Sequence, residues 1–84
     1  MSDESIAARI ERLVAEERDL RDREQAEADD AEALAADRGR LSAVEVELDR
    51  CWDLLRQRRA LRAAGADPEG AEVRDAATVE GYRQ

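Results

Sequence analysis

The sequence predicts an all-α fold, an antiparallel two-helix hairpin of coiled-coil character that dimerises into a four-helix bundle and carries a short C-terminal tail. Three observations lead there. Ala, Glu, Leu and Arg make up 51 of the 84 residues, the composition of long helices. Apolar residues recur at helical spacing in two separate stretches. Charge is segregated: residues 1–27 carry a net −4, 28–37 a further −4, 38–64 a net +3, and 65–84 a net −3. A basic segment between acidic flanks favours a chain that folds back and neutralises itself. The opposing signal is weak hydrophobicity. Leu, Ile and Val total only 15, Phe is absent and the net charge is −8, values that border on disorder, so the regular periodicity decides.

The first helix is predicted over about residues 5–27. Ser2, Asp3 and Ser5 can accept hydrogen bonds from the first free amides, and the acids suit the positive end of the helix dipole. Ile6, Ile10, Leu13 and Leu20 then form an apolar stripe, with Glu17 in the remaining slot. Glu17 to Arg21 and Asp19 to Arg23 are acid-first i,i+4 pairs.

The second helix is predicted over about residues 34–64. Leu34, Leu41, Val44, Leu48, Cys51, Trp52 and Leu55 fall within about 100° of arc, a full core-facing stripe, while Leu54 and Leu61 form a narrower apolar strip on its flank. Gly65 supplies the left-handed position after the helix, and Arg56, Arg58, Arg59 and Arg62 match the negative dipole end. Arg59 and Arg62 continue the core stripe, with Arg56 and Arg58 to either side.

Residues 28–33 are expected to reverse the chain around Asp29-Asp30, a pair able to form Asx turns. The competing architecture is one continuous coiled-coil helix, because Ile6, Leu13, Leu20, Leu34, Leu41, Leu48 and Leu55 share a seven-residue register. Its companion seam, however, is mostly charged. The hairpin, preferred on that ground, would set Ile10 beside Leu54 and Leu55, Leu13 beside Cys51 and Trp52, Leu20 beside Val44, and Glu24 beside Arg40. Asp3, Glu4 and Glu11 would then face the arginine cluster. Residues 1–64 thus form the hairpin and 65–84 a turn and tail. Asp67-Pro68-Glu69-Gly70 fits a type I turn, and Asp75 caps a short helix at 75–80. Val73, Val79 and Tyr82 either dock on Leu54 and Leu61 or belong to a frayed end.

The stretch Cys51-Trp52-Asp53-Leu54-Leu55-Arg56-Gln57-Arg58-Arg59, with the ending Val79-Glu80-Gly81-Tyr82-Arg83-Gln84, resembles a family of short actinobacterial proteins classed only as a domain of unknown function. The resemblance runs over nearly the whole chain. It implies a small all-helical protein and brings no activity or catalytic residue with it.

The chemistry is defined by absences. The chain has no His and no Lys, hence no imidazole base and no lysine for a Schiff base or P-loop. Cys51 is the sole cysteine; with no His and no Lys to lower its pKa, it reads as a small buried hydrophobe. The acids around Gly70 do not fit a calcium loop, since Thr78 stands where the bidentate Glu belongs. We therefore expect no enzyme, no cofactor and no metal. The acidic start and the lack of an apolar run near 20 residues point to a cytoplasmic protein that does not enter membranes. A protein-interaction or regulatory role as a homodimer, or with another protein partner, is the expectation. The alternative is a nucleic-acid-associated factor using the Arg56 to Arg62 cluster, against which the overall acidity and scarcity of aromatics argue.

Overall fold

The computed structural model describes residues 2–26 and 29–79. Helix α1 runs over Asp3–Ala26 and α2 over Ala31–Ala63; they are followed by a 3-10 turn at Pro68–Gly70 and a short α3 at Ala76–Val79. The long helices form an antiparallel hairpin. Asp3 meets Arg58 and Arg62 at one end, and Glu24 meets Arg38 at the other. The longest dimension is 54 Å, close to the ~50 Å of a single 33-residue helix at 1.5 Å per residue. A continuous helix through both stretches would measure about 90 Å.

Both helices start earlier than the spacing of their apolar residues predicts. α1 begins at Asp3 because Ser2 and Ser5 cap it reciprocally: each side-chain oxygen accepts the other residue's backbone N–H at 3.0 Å. This is capping-box geometry built from two serines. α2 begins at Ala31, three residues before the predicted Leu34. The Asp30 carboxylate accepts the Ala33 N–H at 3.0 Å, and Ala31, Glu32 and Ala33 are all compatible with helix. At its other end, the Ala66 N–H bonds the Leu61 carbonyl and the Gly65 N–H that of Arg62. With Gly65 at φ +76°, this is a Schellman motif, which needs a residue free to turn left-handed.

The core is one row of side chains between the helices: Ile6, Ile10, Leu13 and Leu20 from α1 against Val44, Leu48, Cys51 and Leu54 from α2. Val14, Leu41, Leu55 and Ala71 pack on its margin, partly buried. Trp52 departs from the predicted stripe and is 38% exposed. The face of α2 that meets α1 is centred nearer Cys51 and Leu54, which turns Trp52 onto the flank. The helix register also differs from the predicted one by about half a turn at the hairpin end. Glu24 pairs with Arg38 and not with Arg40; Arg40 instead binds Glu16.

The tail returns along α2. The turn at Pro68–Gly70 sits over Leu61, so near that a β-carbon on Gly70 would lie 3.7 Å from Leu61 Cδ1. Leu54 is buried and Leu61 half-buried. Of the two alternatives for the tail, the described part takes the docked one, with the turn against Leu61 and α3 packed on α2. The Asp67 side chain caps the turn by accepting the Glu69 N–H, and Asp75 caps α3 by accepting the Thr78 N–H at 2.8 Å. That bond with Thr78 holds the Asp75 carboxyl below its ordinary pKa. Val79 is completely buried and Val73 exposed. The expectations for Tyr82 and for the ends of the predicted helices at residues 27 and 80 lie outside the described residues.

Candidate functional site: a clasped tail and an open tryptophan flank

Consecutive turns of α2 between residues 53 and 58 carry the chemistry that holds the tail. Asp53 lies in an otherwise apolar run and is 0% exposed. An isolated buried carboxylate is costly unless donors surround it, and here three bonds do so. Arg74 donates through Nε at 2.9 Å and Nη2 at 2.7 Å, and Gln57 donates from Nε2 at 2.8 Å. Gln57 also clasps the backbone of Glu72 from both sides: its Nε2 donates to the Glu72 carbonyl at 2.6 Å and its Oε1 accepts the Glu72 N–H at 3.0 Å. The side-chain amide thus satisfies tail backbone groups that have no helix or strand to pair with.

Arg58 is the second clasp. Sequence spacing placed it beside the stripe and Arg59 and Arg62 upon it; the structure buries Arg58, to 7% exposure, and leaves Arg59 and Arg62 exposed. Its guanidinium binds Asp3 at the start of α1, Glu69 at 3.1 Å and the Pro68 carbonyl at 3.3 Å in the tail. Arg62 adds a bond to Asp3 at 2.8 Å. Arg62 and Arg58 together hold the Asp3 carboxyl at about 2, below its usual 3.8. Arg56 is half-buried. No periodicity argument finds Asp53, Gln57, Arg58 or Arg74 as a group, because their partners come from a tail that carries no repeat. The one available signal was an acid at position 53 between Trp52 and Leu54.

The opposite flank of α2 is open. Leu34, Leu41, Leu48, Trp52 and Leu55 follow one another at helical three-, four- and seven-residue steps. Among them Leu48 is buried, Leu34, Leu41 and Leu55 half-buried and Trp52 exposed. Around this strip, surface charges are paired across the hairpin, with Arg21 on Glu45 at 3.1 Å and Arg38 on Glu24 at 2.9 Å. Cys51 is a buried free thiol, and burial pushes its pKa up, which leaves it protonated and a poor nucleophile near neutrality. No helix among the described residues is long and apolar enough to cross a membrane.

Comparison with known proteins finds relatives of this sequence. The family described as Protein of unknown function (DUF2630) matches residues 2–84. Uncharacterized protein Rv0898c of Mycobacterium tuberculosis and Uncharacterized protein Mb0922c of Mycobacterium bovis are each 48% identical to this chain over 81 residues. Those residues cover 96% of this chain and 90% of either relative. No solved structure matches the sequence.

Proposed function

The chain belongs to the DUF2630 family, and from that premise we propose that it is a non-enzymatic, cytoplasmic protein-interaction module that acts as a homodimer through the Trp52 flank of α2. The observation that carries this reading is the indole, 38% exposed on a strip with three half-buried leucines. Exposed tryptophan on an apolar patch is the kind of anchor that interfaces concentrate.

Size arguments support a covered flank. The accessible surface is 5775 Å², against about 5,000 Å² for a compact monomer of this mass. The radius of gyration is 15.6 Å, against about 12 Å for a compact chain of this length. Two hairpins packed flank to flank would make a four-helix bundle and bury the excess. A catalytic role has little support, since imidazole and lysine are absent from the chain and the one thiol is buried.

Sedimentation equilibrium tests the proposal. A mass of twice 9.4 kDa is expected at micromolar concentration, with Trp52 emission shifting to the blue as dimer forms, and Trp52→Glu should leave a folded monomer. A wild-type chain that stays a folded monomer in that range overturns it. The arginine cluster supports a structural role, because Arg58 and Arg62 already hold Asp3. Micromolar, steeply salt-dependent binding of RNA or DNA, lost in Arg59→Glu with Arg62→Glu, would favour the nucleic-acid alternative instead.

A further inference from the structure

On the side of the core away from the Trp52 flank, a groove of about 260 Å³ opens between α1, α2 and the returning tail. Its floor is apolar: Ile6, Leu54 and the buried Cys51, with the 61% exposed Val73 along one wall. Arg9, Arg12 and Arg50 also line it, with Glu47 the one carboxylate among the lining residues. Arg9 binds Glu47 at 2.9 Å and Arg50 binds its other oxygen at 3.0 Å. A single negative charge therefore faces three positive ones, in a chain whose net charge is −8.

We propose that this groove binds a small amphipathic anion, an aliphatic carboxylate whose chain lies on Ile6, Leu54 and Val73 and whose head group meets Arg12 and Arg50. Size limits the chain length. An apolar cavity of about 150 Å³ holds benzene, so ~260 Å³ suits a chain of about eight carbons. The head group supplies what the groove lacks, a second negative charge beside its three arginines. The apolar floor distinguishes the site from a simple inorganic-anion site, and the arginines distinguish it from a grease-filled cleft.

The test is an NMR titration of the full-length, ¹⁵N-labelled protein with octanoate, octanol and acetate in parallel. Octanoate should give saturable shifts at the amides of Ile6, Cys51, Leu54 and Val73. Its affinity should be at least tenfold above that of octanol, which has the chain without the charge, and of acetate, which has the charge without the chain. Arg12→Gln and, separately, Arg50→Gln should bring octanoate down to the level of octanol. Arg12 lies on the exposed face of α1, so its variant keeps the test decisive should loss of Arg50 disturb the fold. Equal binding of octanoate and octanol, an undiminished octanoate affinity in Arg12→Gln, shifts centred on the Trp52 flank, or no saturation up to millimolar octanoate would each overturn the proposal.

Discussion

Replacing Arg74 with alanine strands Asp53, the most deeply buried charge among the described residues. Asp53, with no exposure, would lose the bonds of 2.9 and 2.7 Å and keep only the 2.8 Å bond from Gln57. Hydrogen bonds to charged groups contribute about 1.5–3 kcal/mol each, and removing one partner of a buried pair costs about 3–5 kcal/mol. The chain has one escape: the tail can lift from α2 and let water reach Asp53. The loss is then capped at the free energy with which the tail docks. Arg74→Ala should therefore lower stability in urea by about 3 kcal/mol, a large part of the 5–15 kcal/mol typical of small domains. Amide exchange should also speed up selectively at Gly70, Ala71 and Val79. Asp53→Ala should cost less, because the guanidinium of Arg74 is already 39% exposed and can turn to solvent. The double variant should fall short of the sum of the two singles by more than about 1 kcal/mol, as coupled neighbours do. A loss below about 1 kcal/mol for Arg74→Ala, with tail exchange unaltered, would refute the clasp.

Further outcomes follow from other local features. Asp3 titrates at about 2 when folded and at 3.8 otherwise, so its ion pairs with Arg62 and Arg58 stabilise fully above pH 4–5 and are lost as pH falls toward 2; urea midpoints should drop more steeply across that window for the wild type than for Asp3→Asn. Gly65→Ala places a β-carbon at φ +76° and should cost about 1–2 kcal/mol, read as a lower thermal midpoint with unchanged helix content. Asp30→Ala removes the cap on Ala33 and should cost about 0.5–2 kcal/mol, with exchange rising first at Ala33 and Leu34. Leu20→Ala empties a buried site in the core row and should cost about 2–5 kcal/mol, measured by chemical denaturation.

The hairpin was legible because its determinants are periodic. In α1, Ile6, Ile10, Leu13 and Leu20 stand almost alone among charged residues, so a wheel has one apolar face to offer, and that face is the buried one. α2 is ambiguous. Its apolar residues occupy two adjoining arcs, and the wheel alone does not decide that Leu54 goes inside while Trp52 stays at the rim. Buried charge was illegible for a related reason. Asp53 and Arg58 owe their burial to Arg74, Glu69 and Pro68, residues in a segment whose path no periodicity describes. The early start of α2 is a matter of one hydrogen bond, from Ala33 to Asp30, which competes on equal terms with an Asx turn in the sequence.

Arg58 joins residues that leave the ribosome far apart in time. Its contact with Glu69 closes 11 residues, whereas that with Asp3 closes 55. At about 5–20 residues per second of synthesis, α1 emerges several seconds before the part of α2 that must cover it. Throughout that interval Ile6, Ile10, Leu13 and Leu20 have no partner on their own chain. Dense charge opposes association of exposed apolar surface, and in this segment it surrounds all four of these residues, until Arg58 can anchor the first turn.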